Sequence, residues 1–321
     1  MGLIVRLCRT AVRNVRNAFQ SPIVLLAVFL QMFQTASAWA DTLYVTEYNS
    51  GRVTAIAANG TKSVFTTSGL DSPYGIAVDK TGNVYVNNHL SGTVREYSPS
   101  GTNIGTLSFT GSYPAQMTFD ATGNLYLANY GANTVEKFSS TGADLGVIAT
   151  GLHSPTSVAV DASGNLYVTE LTSNDVVKFS STGVLLGTFA SGLNSPEDLA
   201  FDSKGNLYVA NYGSNSIEKF SSTGVDLGPF ASGLNSPNGL AFDSSGNLYV
   251  ANYSNGTIRE YSADGTDLGN FATGLSNVAY LAIYSDQTTT VPTPSSLTLF
   301  VIGGLILFGW RQWQDGQAVV T

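Results

Sequence analysis

"SPEDLAFDSKGNLYVANYGSNSIEKFSSTGVDLGPFASGLN", residues 195–235, holds four short runs separated by turns. "DLAFD" and "LYVAN" are apolar on both faces, "SIEKFS" is more polar, and "LGPFAS" closes the unit. Between them, "SKGN", "YGSN" and "STGV" supply the Gly, Asn and Ser that tight turns use. The stretch therefore predicts four antiparallel strands in one sheet of 41 residues. Two inner strands with no polar face need cover on both sides, whereas the outer strands carry charges such as Glu218 and Lys219. This gradient, and the length of the unit, fit a radial propeller blade held between neighbours.

The unit recurs. "GNVYVNNH" begins at 82, "GNLYLANY" at 123, "GNLYVTEL" at 164 and "GNLYVANY" at 246, and Tyr44, Tyr85, Tyr126, Tyr167, Tyr208 and Tyr249 each follow the one before by 41 residues. Strands of the innermost type begin after Pro73, Pro114, Pro155, Pro196 and Pro237, and a sixth, "YLAIYS" from 280, comes after the last full repeat. "TLYVTE" from 42 has no such strand before it. Pairing the C-terminal strand (280–285) with the N-terminal one (42–47) gives an all-β, six-bladed propeller over 41–286 with four-stranded antiparallel blades. The closure leaves no orphan strand to pair with another chain.

Formal charge is −8 for the whole chain, but four arginines lie in the first 20 residues and Arg311 lies near the end. Between 41 and 290 there are 9 Lys and Arg against 21 Asp and Glu, a net of −12. Such a surface repels phosphate backbones, so nucleic acid is excluded as a partner. Cys8 is the only cysteine, which leaves the propeller without disulfides, zinc–thiolate sites or thiol chemistry.

Both ends look like addresses. Residues 1–40 have an arginine-bearing start, the apolar run "PIVLLAVFL" and then "TASAWA", the layout of a secretory signal peptide cleaved after Ala38 or Ala40. An uncleaved anchor is the rival reading, although Ile23 to Phe33 is short for the ~30 Å of a bilayer core. At the other end, a Thr/Pro/Ser linker (287–296) precedes an apolar segment (297–313), read as a sorting or anchor helix, and a short polar tail (314–321). Its 14-residue run from Leu297 to Trp310 would cover roughly 21 Å as a helix. The layout of "VPTPSSLTLFVIGGLILFGWRQWQ" resembles the PEP-CTERM sorting signal of Gram-negative bacteria, with Thr293 between the prolines where that family usually has Glu. The resemblance implies recognition by an exosortase and delivery to the cell envelope or extracellular matrix. A plain membrane anchor is the alternative.

The phrase "SPTSVAVDASGNLYVTELTSNDVVKFSSTG" resembles the NHL repeat, and the likeness runs in phase through residues 42–284. Propellers of that kind include ligand binders, protein-interaction platforms, lactonases and lyases. The start of each first strand and the end of each second should meet at one face of the disc, around the channel mouth. The second-strand ends are Glu47, Asn88, Asn129, Glu170, Asn211 and Asn252; the first-strand starts are Ala279, Tyr74, Ala115, Thr156, Glu197 and Asn238, with Asp198 beside Glu197. These polar residues are the binding-face candidates. Glu170, Glu197 and Asn238 are the candidate ligands for Ca²⁺ or Mg²⁺, and capping of turns is the competing role for the Asn ring.

The repeats are also similar to two enzyme groups. In the gluconolactonase and regucalcin group a divalent ion is held at first-strand starts, and Asn238 in "SPNGLAFD" matches that pattern beside Glu197 and Asp198. In streptogramin lyases, which the "YVTE" phrases resemble, histidines near the channel carry the chemistry. Here His89 and His153 fall in loops, and both read as solvated. No Ser-His-Asp or Cys-His set can be assembled, and Phe138, Phe179 and Phe220 read as packing between blades. The sequence thus favours an exported propeller that binds a protein or saccharide ligand, with a divalent-metal-dependent lactonase or lyase as the alternative.

Overall fold

A computed structural model describes residues 41–109 and 111–285, together with Phe300–Ile302 and Leu305–Leu307. Residues 41–285 form six four-stranded antiparallel sheets. Blade 1 joins Val278–Tyr284 to Thr42–Glu47, Arg52–Ala57 and Lys62–Thr66. The other five use consecutive strands, beginning with Pro73–Val78, Pro114–Phe119, Pro155–Val160, Pro196–Phe201 and Pro237–Phe242. The closing strand pairs Thr42 with Tyr284 and Glu47 with Val278, as the repeat count requires.

Burial follows the gradient read from the sequence. Second strands such as Leu207–Asn211 are buried at every position, while fourth strands such as Asp226–Ala231 are largely exposed. The core is divided into six clusters, each drawn from two adjacent blades. Phe138, Phe179 and Phe220 are buried in these clusters, in the packing role the sequence assigns them.

The repeated phrase earns its frequency at the turn before each second strand. Asp202 Oδ1 accepts hydrogen bonds from the Lys204 and Asn206 amides, both at 2.9 Å, and Gly205 takes a left-handed φ of 79° between them. Asn206 Nδ2 donates to Asp202 Oδ2 at 2.8 Å. Tyr208 then packs edge-on between Phe230 and Phe242, at 4.9 and 5.0 Å, and Lys219 covers its ring. In blades 4 and 5 one tyrosine thus packs between two phenylalanines, one of its own blade and one of the next, Tyr167 between Phe189 and Phe201 as Tyr208 between Phe230 and Phe242.

Of the C-terminal segment, the described residues pair as two short antiparallel strands, Ile302 opposite Leu305. Most of the segment 297–313, read from the sequence as a sorting or anchor helix, lies outside the described residues. No helix among the described residues is long and apolar enough to cross a membrane. The signal-peptide reading (1–40), the linker (287–296) and the polar tail (314–321) lie outside the described residues.

Candidate functional site

Register brings the two rings of sequence candidates to one face. Pro73 pairs with Asn88, Pro114 with Asn129, Pro155 with Glu170, Pro196 with Asn211 and Pro237 with Asn252. A register shift early in each of these first strands marks a bulge, the usual device for re-aiming side chains.

The second-strand ring acts mainly as a set of clamps. Asn88, Asn211 and Asn252 accept the amides of Asp71, Asn194 and Asn235, at 2.9, 3.2 and 3.1 Å. Glu170 accepts the His153 amide at 2.8 Å and the Ser173 hydroxyl at 2.9 Å. Glu47 accepts the Ser276 amide at 2.8 Å and pairs with Arg52 at 2.7 Å. Asn129 instead donates to Glu136, at 3.0 Å. In five blades, then, the clamp fixes the loop that leads into the first strand, the capping role weighed from the sequence.

Four side chains converge inside this ring: Tyr74, Glu197, Asn238 and Tyr280. Tyr74 reaches from blade 2 to blade 5, its hydroxyl 3.4 Å from Glu197 Oε2 and 3.4 Å from Asn238 Nδ2. Tyr280 is fully buried and reaches from blade 1 across the axis, its hydroxyl 3.1 Å from the Glu197 carbonyl and 3.4 Å from Thr156 O. The two rings meet edge-on at 5.0 Å. Gly239 leaves room for this, since a Cβ there would come within 2.8 Å of Tyr280 Cα. Thr156 is turned away, bonded to Thr169 at 2.8 Å and Pro196 O at 2.9 Å.

Burial pushes the Glu197 carboxyl up to about 7; the Tyr74 and Tyr280 hydroxyls oppose the rise and the neighbouring Asp198 adds to it. Asp198 faces the channel wall below. Burial pushes it to about 7 as well, against the Ser157 hydroxyl and the Leu240 and Leu199 amides that bind it at 2.6, 2.8 and 2.9 Å. Beneath this layer a cavity of about 330 Å³ opens toward the other face, lined by the later halves of the inner strands.

The proposed metal ligands do not converge. Glu197 and Asn238 both contact Tyr74, but Glu170 is committed to its clamp. Among the described residues no group of three or more His, Cys, Asp and Glu is placed to hold a metal ion.

Around the four central groups stands a rim that sequence reasoning missed. The residue after each second-strand end is Tyr48, His89, Tyr130, Leu171, Tyr212 or Tyr253, and every one is half-buried. Tyr48 packs on Tyr74 at 5.9 Å and Tyr253 on Tyr212 at 6.4 Å. His89 is not the solvated loop residue expected: its ring lies 5.0 Å from Tyr74 and 5.4 Å from Tyr113. Nδ1 of His89 is 3.1 Å from Pro114 O, so in the neutral ring Nδ1 is the donor and Nε2 is the basic nitrogen. His153 is exposed beside Glu170, with Nδ1 3.4 Å from Oε1. The repeated final letter of "ANY", at 130, 212 and 253, was the available signal.

These features define a closed six-bladed propeller with an aromatic-rimmed mouth over a buried carboxylate. The matching family model is the Virginiamycin B lyase family, over residues 30–260, and the chain belongs to that family. No curated protein matches it. Among solved structures it is similar to a chain of a nidogen/laminin complex, with TM-score 0.68 and 17% identity over 77% of this chain and 99% of that one. It is also similar to a streptogramin B lyase, with TM-score 0.59 and 14% identity over 75% and 83%. A virginiamycin B lyase from Staphylococcus aureus gives TM-score 0.57 and 13% identity over 73% and 81%. At these identities the likeness is one of fold.

Proposed function

We propose that the protein is an exported binding propeller whose ligand seat is the aromatic-rimmed mouth. The observation that carries this is the rim itself: five of six equivalent positions hold Tyr or His, half-buried around a recessed polar floor. Aromatic walls with a few convergent polar groups are the usual make-up of a small-ligand site. The clamps hold the loops beneath the rim, so the seat is largely formed before anything binds. Ligands should raise the melting temperature of the wild type, and Tyr48→Ala with Tyr253→Ala should abolish the shift. Shifts that survive this double substitution would place the ligand elsewhere. The pattern at 1–40 supports export and that at 287–321 supports retention at the envelope or matrix, with an exosortase as the sorting partner. Mass spectrometry of both mature termini tests this.

A second reading is favoured by family membership and by His89. With Nδ1 held by Pro114 O, Nε2 could take a proton from a lactone substrate and open the ring by elimination. Elimination leaves the mass of a cyclic lactone unchanged, whereas hydrolysis adds one water. Incubation with a cyclic depsipeptide lactone, and its loss of turnover in His89→Gln, would decide for this reading; an unaltered substrate decides against it.

A further inference from the structure

Glu197 is a buried carboxylate with poor partners. It is 9% exposed, and among the described residues its carboxylate meets two phenol hydroxyls at 3.4 Å, long for hydrogen bonds between oxygens. Among the described residues it forms no ion pair. Beside it, Asn238 is 2% exposed and its Oδ1 has no hydrogen-bond partner, while its Nδ2 reaches the same Tyr74 hydroxyl. Turning the amide over would leave Nδ2 without a partner instead, so one atom of this buried group stays unsatisfied in either orientation. Both under-satisfied groups thus reach the same Tyr74 hydroxyl, Glu197 through Oε2 and Asn238 through Nδ2.

The groups around Glu197 identify what is missing. Tyr280 approaches from blade 1, Tyr74 from blade 2, Thr156 and Thr169 from blade 4, Asp198 from its own strand, and Asn238 and Tyr253 from blade 6. All are neutral or acidic. His89, whose ring packs on Tyr74 at 5.0 Å, is a neighbour of this group that could carry positive charge. The site offers a negative charge, amide and phenol oxygens, and faces of aromatic rings. Each of these attracts a cation, and the oxygens accept hydrogen bonds from one.

We propose that the mouth binds a primary ammonium group borne on a small aromatic or apolar body, with Glu197 and Asn238 Oδ1 accepting its N–H donors and the Tyr48, Tyr74 and Tyr253 rings enclosing the rest. This rests on the mouth being the ligand seat and adds the chemistry of the ligand. A primary ammonium suits the site better than a quaternary one because only the former can donate to the two acceptors. An anion is disfavoured by Glu197 and Asp198, and a neutral ligand leaves the charge unpaired.

The test uses 2-phenylethylamine, its neutral analogue 2-phenylethanol, and the trimethylated amine, titrated calorimetrically into the propeller. The primary amine should bind at least about tenfold more tightly than the alcohol at pH ~8, with the trimethylated form weaker than the primary amine. Because the cation favours ionised Glu197, affinity should rise about tenfold from pH ~5.5 to ~7.5, and binding near pH 6 should release protons, seen as a heat that depends on the buffer. Protonation of His89 would change affinity in the same direction, so Glu197→Gln separates the two: it should remove most of the preference for the amine and leave the alcohol unaffected. The buffer dependence of the wild-type heat needs no variant. Equal binding of amine and alcohol would overturn the ammonium assignment and leave the mouth as an apolar seat. Equal binding of primary and trimethylated amines would overturn the hydrogen-bonded geometry. No binding of any of the three overturns the inference, while the double tyrosine variant with other ligands decides the seat separately.

Discussion

Replacing Glu197 with Gln should make the protein more stable in mild alkali. The carboxyl has an ordinary value of 4.5 and a folded value of about 7. Between those limits the folded chain keeps a proton that the unfolded chain has released, so stability falls as pH rises from about 4.5 to about 7 and then levels off. A displacement of ~2.5 pH units at ~1.4 kcal/mol each is worth about 3 kcal/mol. Gln has the same shape, can accept from the Tyr74 and Tyr280 hydroxyls, and has no charge to bury. Wild type and variant should therefore be about equally stable at pH ~5 and diverge by up to about 3 kcal/mol at pH ~8, roughly 6–12 °C in melting temperature for a domain of this size. Asp198, raised from 3.8 to about 7, keeps some slope in both proteins. The turn aspartates act on the other side of the window: Asp120 is held near 2 by its turn donors, which overcome the burial that opposes them, and Asp161 and Asp202 are lowered likewise. Their contribution is lost only as pH falls through those values, and equally in both chains. Urea unfolding followed by circular dichroism at three pH values measures the difference. A constant gap from pH ~5 to ~8 would refute the idea that burial, rather than the contacts of the side chain, sets the energetics of Glu197.

Three further outcomes follow from local geometry. Gly256→Ala, at φ 64° with Leu275 O only 1.9 Å from the new Cβ, should cost well over the ~1 kcal/mol of a left-handed residue, whereas Gly228→Ala, at φ 83° with nothing within 4 Å, should cost about that amount; urea midpoints compare the two. Glu47→Gln removes a lowered carboxylate that, despite its burial, is held by Arg52, Thr54 and the Ser276 amide, and should cost about 2–3 kcal/mol at pH ~7, shrinking as pH falls through the folded value. Leu281→Ala, in the closing strand and 2% exposed, should cost about 2–5 kcal/mol and expose the ends of the chain to proteolysis sooner than the blades.

Most of the scaffold was legible because it is periodic. A 41-residue repeat with an apolar, a polar and a turn phase fixes strand number, blade size and closure, and each prediction was checked six times within one chain. The capping role of Asn211 and Asn252 was also readable, since the residue type and its place at a strand end imply it. The mouth was harder for a physical reason. Tyr280 contacts Glu197, and Tyr74 contacts both Glu197 and Asn238, across the axis; those pairs are 83, 123 and 164 residues apart in sequence. Periodicity says which positions are equivalent, not which blades face each other or which of two long side chains fills a channel. His89 misled because its loop looks ordinary, while its ring packs on Tyr74 of the paired strand and on Tyr113 before the next blade.

The departures from the repeat carry the functional argument. At the two positions after the first-strand start residue, the blades hold Tyr-Gly, Ala-Gln, Thr-Ser, Glu-Asp, Asn-Gly and Ala-Tyr, six different pairs on six nearly identical backbones. Packing between blades accounts for only part of this variety: Ala115, Ala279 and Tyr280 belong to the core clusters between blades, whereas Glu197, Asp198 and Asn238 do not. Filling the channel would not demand it either, and an apolar plug would avoid the cost of burying two carboxylates that neither lysine nor arginine balances. Gln116 shows the alternative within the same ring: its Oε1 accepts the Ile76 and Met117 amides at 2.8 and 3.1 Å, doing the work of Asp198 without a charge. Glu197 has no such structural duty. A charge kept where a neutral side chain would hold the same backbone is best accounted for by a ligand that meets it.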